Sequence, residues 1–204
     1  MYGSGNYSVT MKAFDDIVDG YISTFYLYSE NLTYADHDEI DFEFRSGAPY
    51  AGYPYGSYDT TQKIWTNIYH TTDVYPYGNG YDVDMTAFDA LGGDSFSLQD
   101  EHTYRFEVVL GDFVKWWVDD VLIREEVASG GCVPTHKMAI RLSIWKMDDC
   151  SWCGSFDASN APQEIKYNTA LFTFDEMENN RNCDTSHDPI VCHCDDFAFN
   201  GDCS

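Results

Sequence analysis

Basic residues are scarce in this chain. Its 204 residues include 11 Lys plus Arg against 35 Asp plus Glu, a formal net charge of −24. Phosphate backbones and anionic bilayers repel such a surface, which argues against nucleic acid and membranes as partners. Sulfated or carboxylated polysaccharides are disfavoured for the same reason, less strongly, whereas a neutral polymer such as a glucan meets no such repulsion. Also missing is any apolar run near the ~20 residues of a membrane-spanning helix. The opening YGSGNYSVTMK after Met1 carries no basic and apolar leader, so a secreted product would have lost its leader or be a fragment. Long helical periodicity and internal repeats are absent as well, and no cysteine precedes Cys132.

What is present is strand. NYSVTMKAF, YISTFYLYS, EIDFEFR, KIWTNIYH, TYRFEVVL, FVKWWV, VLIREE, MAIRLSIW and EIKYNTALFTF are rich in β-branched and aromatic residues and separated by turn signals. Leu110-Gly-Asp-Phe113 and Val118-Asp-Asp-Val121 are short enough for tight hairpins, predicting three consecutive antiparallel strands from Tyr104 to Glu126. So many strands in one domain predict an all-β sandwich or jelly roll of two antiparallel sheets. Residues 47–58 (GAPYAGYPYGSY) and 71–80 read as loops of the kind that rim binding clefts.

Seven cysteines crowd the last third, at 132, 150, 153, 183, 192, 194 and 203. Disulfides formed in an oxidising compartment account for them most simply, with one thiol left over or paired elsewhere. Cys183, His187, Cys192, His193 and Cys194 are zinc-ligand types, but their spacing fits no zinc motif, and no metal is assigned. Two sequons, at Asn6 and Asn31, are compatible with secretion. The expected organisation is one β-sandwich domain over residues 1–175 and a cysteine-rich tail over 176–204, secreted to the extracellular space or cell wall and monomeric.

One strand is chemically unusual. In HDEIDFEFRSG, residues 37–47, Glu39, Asp41 and Glu43 alternate with Ile40, Phe42 and Phe44. A side-chain period of two puts the three carboxyls on one face and the apolar residues on the other. Such a face is either solvated decoration or a catalytic set, and like charges on poor strand formers are a costly decoration. Retaining glycoside hydrolysis needs two carboxyl groups about 5–5.5 Å apart, a nucleophile and an acid/base. Glutamates at i and i+4 of a strand start ~13 Å apart at Cα, a gap that long side chains leaning together can largely close. A carboxylate between them would raise the pKa of the acid.

HDEIDFEF resembles the active-site strand of glycoside hydrolase family 16, the lichenases, laminarinases and xyloglucan endotransglycosylases, with a concanavalin A-like jelly roll. The uninterrupted Glu-x-Asp-x-Glu is closest to the lichenase and xyloglucan branches. The likeness runs in order through YGSGNYSVTMKAFDDIVDGYISTFYLYSE, TNIYH, EHTYRFEV, VKWWVDDVLIREE and LSIWKMDDCSWCGSF, from about residue 2 to 174. Carried over, it implies Glu39 as nucleophile, Asp41 as assisting carboxylate and Glu43 as acid/base. Tyr26 and Tyr28 resemble platform residues, Asn67 and Tyr69 sugar hydrogen-bonders, and Trp145 and Trp152 stacking walls, with His37 and Trp65 also at the substrate.

Trp65 stands where family members often carry Gln, and His37 where lichenases tend to carry Trp, although His-Asp-Glu is common in the xyloglucan branch. Met1 begins where the family's first strands would be complete, so an edge of the sandwich and some negative subsites are expected to be missing unless the tail fills that place. The family's calcium site draws on that same N-terminal backbone, and neither calcium nor another cofactor is expected. The resemblance implies an endo-acting, retaining hydrolase of a neutral β-glucan, such as mixed-linkage β-1,3-1,4-glucan, or a xyloglucan or glucan endotransglycosylase. A lectin-like module on the same fold is the alternative of another class; it would have no need of three carboxyls on one strand. An acidic, cation-collecting structural protein is a third reading.

Overall fold

The computed structural model describes residues 2–14, 20–29, 37–45, 63–70, 80–86, 88, 93, 95–130, 133–146, 159, 166–174, 183–184 and 190–194. These form two antiparallel sheets packed as a jelly-roll sandwich. The first holds β1 (Gly5–Lys12), β6 (Glu101–Val109), β7 (Phe113–Val118), β8 (Val121–Val127), β10 (Lys166–Phe174), β11 (Cys183–Asp184) and β12 (Ile190–Cys194), in the order β11-β12-β10-β1-β6-β7-β8. The second holds β2 (Tyr21–Tyr28), β3 (Glu39–Arg45), β4 (Lys63–Tyr69), β5 (Tyr81–Asp84) and β9 (Ala139–Lys146), in the order β5-β4-β3-β2-β9. All nine segments expected as strands are found, as β1–β4 and β6–β10.

Alternation creates the core. On the inner faces Phe25, Ile40, Phe42 and Phe44 of the second sheet meet Tyr104, Phe106, Val114 and Trp116 of the first, all of them buried. Phe42 lies 4.7 Å from Phe106 between ring centroids, and Phe44 lies 4.6 Å from Tyr104. Tilted aromatic packing at these separations adds to the simple gain from burying apolar area. The two expected hairpins are there. Asp119 and Asp120 both take positive φ, 46° and 63°, as a two-residue turn of matching twist requires. The Asp119 carboxylate then fixes the turn by accepting from Thr103 N at 2.7 Å and pairing with His102 Nδ1 at 2.6 Å.

Three strands were not expected. Tyr81–Asp84 has only Val83 as a β-branched residue, and it forms β5 because β4 offers an open edge there. Within the tail, β12 runs antiparallel to β10, and β11 pairs with β12, so this backbone extends the first sheet. Residues 47–58 and 71–79, expected as loops, lie outside the described residues, as does Trp152. Among the described residues no helix is long and apolar enough to cross a membrane.

Candidate active site

Pairing of β2, β3, β4 and β9 aligns their outward side chains in rows. Glu39 registers between Tyr28 and Tyr69, Asp41 between Tyr26 and Asn67, and Glu43 between Thr24 and Trp65. On β9, Arg141 continues the Asp41 row beyond Tyr26, and Trp145 registers with Ile22 at the Arg45 end of the sheet. Because Ile40, Phe42 and Phe44 are buried in the core, all these side chains belong to the opposite face. The structure therefore brings Tyr26, Tyr28, Trp65, Asn67, Tyr69 and Trp145 onto one surface with the three carboxyls.

Local contacts hold this face in order. His37, just before β3, is buried and lies between Tyr28 and Tyr69, at 5.3 and 5.6 Å between ring centroids. Its Nε2 comes 3.2 Å from Glu39 Oε2. Asn67 Oδ1 accepts from Ile68 N at 2.9 Å, and its side chain also bonds the Tyr69 hydroxyl. Asp38 is fully buried and faces away from the row. It pairs with His70 Nδ1 at 2.7 Å and His136 Nδ1 at 2.9 Å, and it accepts from the backbone of Thr135 and His136 at 2.7 Å each. Asp38 thus ties the start of β3 to the end of β4 and to the approach to β9.

Burial and mutual charge give the three carboxyls different proton affinities. Burial, then the charges of Glu39 and Glu43, hold Asp41 well above the ordinary aspartate range, and the hydrogen bond it shares with Glu39 acts the same way. Its Oδ2 is buried with no hydrogen-bond partner among the described residues, a placement that costs an anion far more than a neutral acid. Burial and the neighbouring carboxyls thus favour the neutral form of Asp41, in which its O–H donates to Glu39. Burial raises Glu39 too, but that hydrogen bond and His37 counteract it. Burial pushes Glu43 up to about 7, helped by Glu39 and opposed by Arg45. One strand thus presents three carboxyls in three different environments, an arrangement suited to acid/base and nucleophilic chemistry.

Sequence reasoning missed four residues. Arg45 and Arg141 share the outer face by alternation, a signal legible once strand pairing is known. Gly80 abuts the site so closely that a Cβ there would lie 2.6 Å from the Trp65 ring and 2.7 Å from Asn67 Oδ1. Arg124, buried in β8, donates to Thr66 O at 2.8 Å and places a cation beneath Asp41. Among the described residues no group of three or more His, Cys, Asp or Glu side chains is arranged to hold a metal ion.

Residues 1–169 match the family described as Glycosyl hydrolases family 16. The chain belongs to this family. A β-glucanase of Paenibacillus macerans is 31% identical over 176 residues, 85% of this chain and 61% of that relative. Among solved structures, a Bacillus licheniformis β-glucanase superposes with a TM-score of 0.61 at 25% identity, covering 84% of this chain and 66% of the other. A prokaryotic β-1,3-1,4-glucanase (lichenase) from a mouse hindgut metagenome superposes with a TM-score of 0.58 at 25% identity, covering 81% and 64%. The chain thus spans about three fifths of the curated family 16 relative's length. Strand β3, with its Glu-x-Asp-x-Glu, lies within the matched residues 1–169.

Proposed function

We propose that the chain is an endo-acting, retaining glycosidase that cleaves a neutral β-glucan through a covalent glycosyl-enzyme intermediate. The observation that carries this reading is the row of Glu39, Asp41 and Glu43 on one outward face, flanked by Tyr26, Tyr28, Trp65, Asn67 and Tyr69. In the first step the Glu43 carboxyl gives its proton to the glycosidic oxygen as the Glu39 carboxylate attacks the anomeric carbon. The C–O bond to the leaving sugar breaks, and an ester to Glu39 forms. Asp41 donates its hydrogen bond to Glu39 and steadies the carboxylate when it is released. In the second step the Glu43 carboxylate takes a proton from water, whose oxygen displaces Glu39 and regenerates both groups. A sugar hydroxyl in place of water would give transglycosylation by the same route.

Substrate class follows from charge and rings. A net charge of −24 disfavours polyanions, and the relatives' names are those of β-glucanases. Tyr26, Tyr28, His37, Trp65, Asn67, Tyr69 and Trp145 supply stacking and hydrogen-bonding groups about the carboxyls, with Trp152 proposed as a further wall. The reading includes a monomeric, secreted or cell-wall protein with disulfides. Cys183 registers opposite Cys192 between β11 and β12, and paired antiparallel residues stand at a Cα spacing that a disulfide spans.

Release of reducing ends from mixed-linkage glucan and xyloglucan, with and without a labelled oligosaccharide acceptor, tests the proposal. Wild type should act on at least one, and Glu39→Gln should lose at least about 1,000-fold in kcat. An inactive wild type across neutral β-glucans and acceptors ends the enzyme reading. Tight glucan binding without turnover, equal in wild type and Glu43→Gln, would point instead to a lectin.

A further inference from the structure

Beyond the three carboxyls, the acidic strand carries a fourth charged residue on the same face. Arg45, two positions after Glu43, is 1% exposed at its side chain. Its guanidinium pairs with Asp82 of β5 and lies 5.8 Å from the centre of the Trp65 ring. Trp65 is the β4 register partner of Glu43, and Asp82 is the β5 register partner of Trp65. The pair therefore spans from the Glu43 strand to the sheet edge, over the ring beside Glu43. A buried ion pair is rarely a net source of stability against an apolar replacement, so its position beside the acid/base calls for another account.

We propose that Arg45 is a positioning residue for the proton transfers of Glu43: held by Asp82 against Trp65, its guanidinium sets the charge environment in which the acid/base works. This rests on the glycosidase reading given above. Within its own strand, burial and the charge of the Glu39 carboxylate on the same face favour keeping a proton on Glu43. Tyr26 of β2 and Tyr69 of β4 stay un-ionised, burial raising both phenols. Among the cations of the described face, Lys63 is engaged by Asp84 at 3.2 Å, and Arg141 stands across β2 beside Tyr26. Arg45 is left as the cation next to Glu43, and it favours the anion that must receive a proton from water in the second step. Without it Glu43 would be a ready acid but a reluctant base. Asp82 keeps the guanidinium from swinging onto the carboxylates and locking Glu43 in a permanent ion pair.

The test follows Glu43 directly in the full chain, by carboxyl-13C glutamate NMR with the resonance assigned through Glu43→Gln, alongside the pH profile of kcat/KM. In Arg45→Gln, whose amide can still bond Asp82, the Glu43 midpoint and the basic limb should both rise by about half a pH unit or more. The neutral double variant R45Q/D82N should move in the same direction by less and removes the risk of a half-buried Asp82 losing its ion-pair partner. Arg45→Lys, which keeps the charge, should fall closer to wild type than Arg45→Gln does. A Glu43 midpoint that stays in place in both neutral variants overturns the proposal, as does a lysine variant that matches Arg45→Gln. The resonance titrates whether or not sugar is cleaved. An inactive wild type would therefore end the glycosidase reading while the NMR midpoint still decides on Arg45; an unmoved midpoint in an active enzyme would end only the role of Arg45.

Discussion

Trp116 of the seven-stranded sheet donates its indole N–H to the backbone carbonyl of Asp41, 3.0 Å away in the opposite sheet. The middle residue of the carboxyl strand is thus held from inside the core, where both partners are buried. Arg124 lies 4.5 Å from the centre of the Trp116 ring and bonds Thr66 of the neighbouring strand. Core packing and the placement of the carboxyl strand are one arrangement at this point. Trp116→Phe keeps an aromatic ring but loses the donor and some volume. It should cost about 2–4 kcal/mol in chemical denaturation and lower kcat roughly tenfold with little change in KM. A variant with full kcat and lowered stability would reduce Trp116 to a packing residue.

The pH profile of kcat/KM should be bell-shaped. In the proposed mechanism Glu43 is protonated to act as acid, so activity should fall as pH rises through about 7. Glu39 must be ionised, and its acid limb should lie above the ordinary glutamate value because burial raises it. His37 restrains that rise. In His37→Phe, which keeps a ring between Tyr28 and Tyr69, the acid limb should therefore move up while the basic limb stays. Steady-state kinetics from acid to alkaline pH would show whether only one limb moves.

Stability should bear the opposite mark of the same group. Glu43 titrates near its ordinary 4.5 when unfolded and about 7 when folded. The folded chain therefore holds more proton between those values, and stability falls as pH rises through that window. Glu43→Gln, which cannot ionise, should be more stable than wild type by about 1–3 kcal/mol above pH 7 and equal to it near pH 4. Denaturation midpoints of the two proteins at both pH values settle the sign.

Gly80→Ala probes the support of Trp65 and Asn67, the groups proposed to face the sugar. The added methyl would meet Trp65 Cζ2 at 2.6 Å and Asn67 Oδ1 at 2.7 Å. Both side chains must move, while the hydrophobic core is untouched. Binding of glucan oligosaccharides should weaken about tenfold with thermal stability changed by under about 1 kcal/mol. Unaltered oligosaccharide affinity would show that Trp65 and Asn67 do not contact the sugar.

Much of the molecule was legible as pattern. The alternation in EIDFEFR assigned Glu39, Asp41 and Glu43 to one face and Ile40, Phe42 and Phe44 to the other, because a strand has no other way to place them. Val118-Asp-Asp-Val121 declared its hairpin, since two residues leave room for few turn types. By contrast β5 was invisible. Tyr-Asp-Val-Asp has no strong strand propensity, and its pairing depends on the open edge of β4. Gly80, Arg45 and Arg141 gave no sign for a related reason: their importance lies in which strand stands beside them.

Residue types, period and order determined by themselves that the chain is a β-sandwich, that it bears three carboxyls on one strand face, and that it carries a strong net negative charge. Local periodicity and total charge are properties of the chain before it folds. Tertiary structure alone decided how the three carboxyls differ. Proton affinity depends on burial and on charges brought close from distant segments: His37 beside Glu39, Arg124 beneath Asp41, and Asp82 holding Arg45 near Glu43. Three nearly equivalent acids in the sequence become unequal once folding gives each a different environment.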